Sequence, residues 1–387
     1  MAAPIPILLM VRELNLGGSE RQMAEIAKAL DRSRFDPRAG CFRPEGLRAD
    51  DLRAAGVPVV HFPVPSLASI KGALRIAAYI RQQNIRLVHT FDTPANIYGV
   101  PAARMAGSAA VLSSQRVDRA LWPAAQRHAL RFTDRLVDGI VVNCEFLAGH
   151  LRNDEKVPAG LIHLCYNGID AGLYAHRGAR PPALRAAPLV IGVVCALRPE
   201  KGLETLLEAF AAARPLAPGM KLAIVGSGPC LPDLQDRART LAILPDCVFE
   251  PATPRVAEWL HAIDIFVLPS HSEALSNALM EAMASGCCVA ASRVGGNPEL
   301  VTDGQTGMLF AARDVSGLVA VLSTLVRDAP LRARLASNAA RLMQTRFSLA
   351  SAARRMAEIY TQILGLVPTP AVESLSATTT PAADLRG

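Results

Sequence analysis

The stretch that decides the fold is Pro269-Ser270-His271-Ser272-Glu273-Ala274-Leu275-Ser276-Asn277-Ala278-Leu279-Met280-Glu281-Ala282-Met283-Ala284-Ser285-Gly286. It follows an apolar run, Ile265–Leu268, that reads as a buried strand. A polar loop comes next. Then comes a helix capped by Ser272 or a near neighbour and closed by Gly286. Glu273 stands at the loop–helix junction and Glu281 lies two turns along. Eight residues correspond to about 800° of rotation, about 80° past two full turns. With Glu273 just outside the helix, both carboxylates can reach one elongated ligand at different depths. A carboxylate inside an apolar helix is costly unless it is partnered. Ribose or sugar hydroxyls are good partners, and a structural ion pair is the competing explanation.

Outward from this stretch, short apolar runs alternate with helical patterns. In the second half the strand candidates are Val190–Ala196, Lys221–Val225, Cys247–Glu250, Ile265–Leu268 and Val289–Ser292. In the first half they are Ile5–Val11, Val57–His61, Leu87–Thr90, Ala110–Ser113 and Gly139–Asn143. Continuous apolar strands separated by helices indicate parallel sheets covered on both faces. Two such series predict two doubly wound α/β domains. Ligands of such sheets sit beyond the carboxyl ends of the strands, so two of them make a cleft lined by strand-to-helix loops.

Four more motifs fall in such loops. Asn15-Leu16-Gly17-Gly18-Ser19-Glu20 precedes a helix running to about Leu30. Ser19 and Gln22 are spaced as a capping box, and the glycines allow an anion close to the helix start. Ala196-Leu197-Arg198-Pro199-Glu200-Lys201-Gly202 puts two cations where a diphosphate would need neutralising. Val225-Gly226-Ser227-Gly228-Pro229-Cys230 resembles the opening of a dinucleotide fingerprint, with Leu231 in place of the third glycine. Glu250 follows Gly228 by 22 residues, where a ribose-binding acid belongs in that fingerprint. A plain strand-to-helix turn explains those residues equally well. Val294-Gly295-Gly296-Asn297-Pro298-Glu299 permits close ligand approach, with Glu299 opening a helix as a dipole-favoured acid. A tight turn explains it too.

The chain has 387 residues, 51% of them apolar and 19% charged, which excludes a disordered or acidic solvating protein. Its net charge of +7 is unevenly placed. Residues 1–185 carry 24 Lys/Arg against 16 Asp/Glu, and the remainder carry 17 against 18. The basicity therefore belongs to the first half, and it points to an anionic partner. None of the eight cysteines has CxxC spacing or a zinc-ligand pattern with His, so buried thiols in a reducing cytoplasm are expected. The apolar start reads as a first strand rather than a signal segment, and no uncharged stretch reaches the ~18–20 residues of a membrane span.

Together these stretches resemble the retaining glycosyltransferases of family four, which have the GT-B fold of two facing doubly wound Rossmann-like domains. The family pattern is a GGxE-like first loop, R-x-x-K-G, V-G-x-G-P, and E-x7-E within PSxxEGxSNxxLEAMAxG. It continues with VGGxPElVxdgxtGxL, present here as Val294-Gly295-Gly296 through Asp303-Gly304-Gln305-Thr306-Gly307-Met308-Leu309. Asn167-Gly168-Ile169-Asp170 matches the family's NGxD. The resemblance covers roughly residues 5–365. It implies an acceptor-binding first domain over 1–170, a linker over 171–188 and a nucleotide-sugar-binding domain over 189–346. It also implies a C-terminal helix over 347–365 that packs back on the first domain. Residues 366–387, rich in Pro, Ala and Thr, read as a disordered tail.

The resemblance also implies roles. Arg198 and Lys201 would hold the donor diphosphate and assist its departure. Glu281 would accept from ribose hydroxyls, and Glu273 would bind the donor sugar as part of the catalytic set. Gly17 and Gly18 would approach the phosphates from the opposite domain, and Gly226, Ser276 and Asn277 would complete the donor site. His89 is the catalytic candidate of the first domain, with Asp92 beside it. Ala274 stands where the family has glycine, and Phe91 where it often has a second histidine. No D-x-D is present, so a metal-independent transferase without a cofactor is expected, with a UDP-sugar favoured as substrate over a GDP-sugar. The leaving diphosphate would take the acceptor proton on the same face of the sugar.

The basic half offers an acceptor surface. Arg116, Arg119, Arg127, Arg131 and Arg135 surround Leu121, Trp122, Leu130 and Phe132, and Arg127, Arg131 and Arg135 recur every four residues. Arg116, Trp122, Arg127, Arg131 and Arg135 are therefore expected to meet a lipid-linked acceptor or an anionic membrane surface. An ordinary solvated helix is the competing explanation. No nucleic-acid signature is found. The expectation is a cytoplasmic transferase, peripheral on the inner face of the membrane, that acts on a glycan or lipid-linked acceptor in surface polysaccharide or glycolipid assembly. An NAD-dependent oxidoreductase, an epimerase of the same fold and a silent glycan-binding protein are the alternatives.

Overall fold

The computed structural model describes residues 3–15, 17–43, 46–64, 69–107, 109–175 and 178–366. The tail expected beyond Leu366 lies outside the described residues, as do positions 176 and 177 of the linker. The first sheet contains β1 (Ile5–Val11), β2 (Phe35–Cys41), β3 (Val59–His61), β4 (Leu87–Thr90), β5 (Ala110–Gln115), β6 (Gly139–Val142) and β7 (Ile162–Leu164). Their order is β3-β2-β1-β4-β5-β6-β7. The second contains β8 (Val190–Val194), β9 (Lys221–Val225), β10 (Cys247–Glu250), β11 (Ile265–Leu268), β12 (Cys288–Ser292) and β13 (Met308–Phe310). Their order is β10-β9-β8-β11-β12-β13. Neighbouring strands pair in parallel in both sheets.

The central strands are buried on both faces, as parallel strands between helices must be, and the edge strands β3 and β10 are half-buried. Ile7 to Val11 of β1 and Val190, Ile191 and Val193 of β8 have no exposed surface. Three strands escape the hydrophobic pattern. β2 reads FDPRAGC, and its Pro37 lacks the N–H that a central strand needs. It is tolerated because β3 pairs with β2 only from Ala39 onward, so no neighbour on that side asks Pro37 for a bond. β7 and β13 have three residues each, too short for a periodic signal.

Each sheet reverses its order once, between β1 and β4 and between β8 and β11. Ligand crevices of doubly wound sheets form at such reversals. The loops after β1, β4, β8 and β11 carry Gly17-Gly18, Asp92, Arg198–Gly202 and Pro269–Ser276.

The chain between β7 and β8 is tied down. The Arg180 guanidinium donates to both carboxylate oxygens of Asp264, at 2.9 and 2.8 Å. The last helix, Leu349–Ile363, returns to the first sheet. Its Met356, Ile359 and Tyr360 are fully buried in one core with Ile7, Leu9 and Phe35. Tyr360 meets Phe35 edge-on at 5.8 Å.

Candidate functional site

Three loops of the second domain interlock at the β8/β11 reversal. Gly202 has φ +61°, and a Cβ there would stand 2.5 Å from the carbonyl of Pro269. Gly295 has φ +52°, and its Cβ would fall 1.8 Å from the carbonyl of Glu273. The next amide, Gly296, donates to the Ala274 carbonyl at 2.7 Å. Glycine is thus required for these loops to lie against the segment that carries Glu273. Ala274 itself is not among the residues with positive φ, so its methyl group imposes no backbone strain.

On this frame Lys201 Nζ donates to Glu273 Oε1 at 2.6 Å, and Ser270 Oγ donates to the same oxygen at 2.7 Å. Burial works against the charge of Lys201, but the carboxylate beside it outweighs burial and holds its pKa above the usual lysine value. Arg198 is exposed and, among the described residues, has no ion-pair partner. One cation is therefore spoken for and one is available.

The helix Asn277–Ala284 is capped by Ser276, whose Oγ accepts from Leu279 N at 3.3 Å. The cap thus falls four residues beyond Ser272, which leaves Glu273 in the preceding loop. Glu281 is buried within this helix, and its carboxylate is ion-paired with Arg21 of the first domain. Burial pushes the Glu281 carboxyl up, and the Arg21 guanidinium opposes that push. Arg21 also donates to the Tyr174 hydroxyl at 2.6 Å.

The capping box expected of Ser19 and Gln22 is absent. The helix Gly18–Ala29 starts at Gly17 without a side-chain cap. Gln22 is buried instead. Its amide donates to the Gly168 carbonyl at 3.0 Å and to Asn277 Oδ1 at 3.1 Å, and it accepts from Gly168 N at 3.0 Å. Asn167 Nδ2 reaches the same Asn277 oxygen at 2.9 Å, and Asn277 Nδ2 donates to the Gly18 carbonyl at 3.3 Å. A Cβ on Gly18 would stand 2.7 Å from Asn277 Nδ2, so a larger residue there would push the Asn277 amide aside. Asn277 is thus one of the points where the two domains touch. Gly17, Gly18, Ser276, Asn277 and Glu281 are brought together, and Lys201 with Glu273 forms a second group on the adjoining loops.

His89 is not placed for chemistry. It is fully buried, with Nδ1 2.8 Å from the Tyr360 hydroxyl and Nε2 2.9 Å from Ser114 Oγ. Both ring nitrogens are occupied, and burial holds its pKa well below the usual histidine value. Phe91 lies between it and Arg116, with its ring centroid 4.1 Å from that of His89. Asp92 lies at the rim. It accepts from Arg12 N and Ala95 N, each at 2.7 Å, and burial pushes its carboxyl up to about 6.

The basic stretch does not form one solvent face. Arg116 points inward, donates to Asn167 Oδ1 at 2.6 Å and lies over the Phe91 ring. Burial pulls its pKa down to about 10. Arg119 is buried and holds Asp134 at 2.7 and 2.9 Å. Arg131 is bonded to Glu155 at 2.6 Å. The helix covers Ala124–Thr133, so Arg135 lies past its end in a 3-10 turn. Trp122 is half-buried, while Leu121 and Phe132 are exposed.

The glycine loop after β9 is filled by protein. A Cβ on Gly226 would fall 1.8 Å from the Cys195 carbonyl, and one on Gly228 would fall 2.2 Å from that of Leu197. These glycines let the loop pack closely against the loop after β8. Glu299 does not serve its own helix start. Its carboxylate accepts from Glu145 N at 2.8 Å and Phe146 N at 3.0 Å, the first amides of a first-domain helix.

What sequence reasoning missed is the pairing of Arg21, the bridging role of Gln22 and the inward course of Arg116. One signal was available. A cation in a helix's first turn is disfavoured by the macrodipole unless a carboxylate faces it, and Arg21 stands there.

The family model described as "Glycosyltransferase Family 4" matches residues 16–173, and the one described as "Glycosyl transferases group 1" matches residues 180–342. The chain is 31% identical over 296 residues to a GDP-mannose-dependent alpha-(1-6)-phosphatidylinositol monomannoside mannosyltransferase of Mycolicibacterium smegmatis, covering 70% of this chain and 73% of that one. It is 33% identical over 196 residues to a glycogen synthase of Mycobacterium tuberculosis, covering 50% of this chain and 47% of the relative, so it spans about half the length of that relative. The crystal structure of Anabaena Alr3699/HepE in complex with UDP-glucose superposes with a TM-score of 0.81 at 21% identity, covering 92% of this chain and 100% of that one.

Proposed function

From the premise that this chain belongs to glycosyltransferase family 4, we propose that it moves a sugar from a nucleoside-diphosphate donor to an acceptor hydroxyl with retention of configuration. The observation that carries this reading is the placement of Glu273 and Glu281. One sits in the loop against Lys201 and the other is buried in the helix behind it. In this reading Glu281 accepts from the ribose hydroxyls, and Arg198 and Lys201 face the diphosphate. Glu273 binds the sugar, with Gly17 and Gly18 closing on the phosphates. The bond from the anomeric carbon to the diphosphate oxygen breaks, and a bond to the acceptor oxygen forms on the same face. The acceptor proton passes to the departing diphosphate. The two cations stabilise the charge that develops there, a contribution of order 10²–10³ per well-placed donor.

The relatives support a donor and an acceptor. The mannosyltransferase relative is named for a GDP-sugar and a phosphatidylinositol acceptor, and the structural neighbour was crystallised with UDP-glucose. We take a UDP- or GDP-hexose as donor, and a glycan or lipid-linked acceptor held by the first domain. Among the described residues no helix is long and apolar enough to cross a membrane. The first domain's basicity supports contact with an anionic membrane surface. The test is release of UDP from UDP-glucose and of GDP from GDP-mannose. Glu281→Ala should abolish release with whichever donor is used. Undiminished release would remove Glu281 from the donor site.

A further inference from the structure

We propose that the first domain carries a phosphate-binding subsite for the acceptor, formed by Arg43, His61, Lys71 and Arg75. It rests on the transferase reading above for what the bound molecule is, and on the following geometry for where it binds. A cavity of about 660 Å³ opens at the carboxyl ends of β2 and β3. His61 is the last residue of β3, and Arg43 lies two residues past the end of β2. Lys71 and Arg75 are four apart on the helix Ile70–Gln82, so they share one face. All four line the cavity and are exposed. Arg43 has a loose contact with Glu13 at 3.6 Å. Among the described residues no carboxylate pairs with His61, Lys71 or Arg75. Like charges gathered together repel one another, and an anion in the cavity reduces that cost.

The cavity wall is firm. Phe42 meets Tyr98 edge-on at 5.4 Å, and the Tyr98 hydroxyl donates to the Ser69 carbonyl at the start of the cationic helix. Ser69 Oγ in turn accepts from Gly72 N at 3.3 Å.

The placement fits an acceptor. β3 lies two strands from β1 in the sheet, which is about 10 Å at the usual spacing. A molecule whose phosphate enters this cavity can present a hydroxyl to the cleft at the β1/β4 reversal. The same helix exposes 72% of Ile70 and 53% of Leu74, one turn apart and beside the two cations. Exposed apolar residues next to cations suit a phosphate at a lipid surface.

The test uses the full chain, wild type and Lys71→Glu/Arg75→Glu, with stabilisation by UDP and GDP as the check of folding. Both side chains are exposed and, among the described residues, make no bond that the variant would break. The probes are vesicles of phosphatidylglycerol with phosphatidylcholine, vesicles of phosphatidylcholine alone, and soluble glycerol 3-phosphate. Wild type should bind the anionic vesicles or glycerol 3-phosphate, and the variant should bind at least about tenfold more weakly. Binding to anionic vesicles that also weakens in Ile70→Ser/Leu74→Ser assigns a lipid-borne phosphate. Binding to glycerol 3-phosphate without vesicle preference assigns a soluble one. A wild type that binds neither probe, or a variant that binds either as well as wild type, overturns the subsite. Failure of UDP and GDP to stabilise the wild type would count against the transferase reading, and the phosphate probes would still decide the subsite.

Discussion

The guanidinium of Arg21, on a first-domain helix, is ion-paired with the carboxylate of Glu281, on a second-domain helix. The pair spans the cleft and is largely buried on both sides, with 19% and 9% of the two side chains exposed. The acid proposed to meet the donor ribose is therefore neutralised by the opposite domain. A ribose reaches Glu281 only by sharing it with Arg21 or displacing it.

Arg21→Met removes one partner and leaves a buried carboxylate without its cation, which costs about 3 kcal/mol or more in comparable pairs. The loss should depend on pH. Burial already raises the Glu281 carboxyl, and without Arg21 it rises further. Protonation then relieves the penalty as the pH falls. Urea unfolding at pH 7.5 and pH 5 should show a smaller difference from wild type at the lower pH. An equal difference at both would mean that Glu281 is not left charged.

Asp92 supplies a second pH dependence. Burial raises its carboxyl to about 6 in the folded chain, against about 3.9 unfolded. The folded state holds this proton more tightly, so the protonated form favours folding. That contribution is complete below pH 4 and is lost as the pH rises through about 6. A shift of this size corresponds to roughly 2–3 kcal/mol. Asp92→Asn cannot titrate. The stability of wild type relative to the variant should therefore decline from pH 4 to 6 and stay level above about pH 7. A flat difference across that range would contradict the raised pKa.

The arginines of 116–135 should divide by burial. Arg119→Ala strips Asp134 of its partner inside the protein and should cost about 3–5 kcal/mol. Arg135→Ala removes an exposed side chain and should stay within about 0.5 kcal/mol. Equal effects in chemical denaturation would restore the picture of one solvent-facing basic surface.

The fold was legible wherever apolar strands ran long enough to show. Ile5–Val11 and Ile265–Leu268 are strands with the bounds expected from their composition. β2 was hidden by Pro37, whose acceptability depends on how short β3 is, which is a tertiary fact. In the site, Glu273 and Glu281 were readable because one local stretch, a loop running into a helix, carries both. The partner of Glu281 was not, because Arg21 lies 260 residues away on the other domain. The regular spacing of Arg127, Arg131 and Arg135 misled for a related reason. Periodicity shows which residues share a face but not where the helix stops, and this one ends at Thr133. The cations of the β2/β3 cavity come from three separate elements and share no local pattern.

The central claim is that the cleft binds a nucleoside diphosphate through Glu281. A thermal-shift screen of wild type and Glu281→Ala against UDP, GDP, ADP, their sugars and NAD tests it most directly. The account predicts that at least one nucleoside diphosphate raises the wild-type melting temperature and that the shift is lost in Glu281→Ala. Stabilisation by NAD alone, with none by any nucleoside diphosphate, would contradict it.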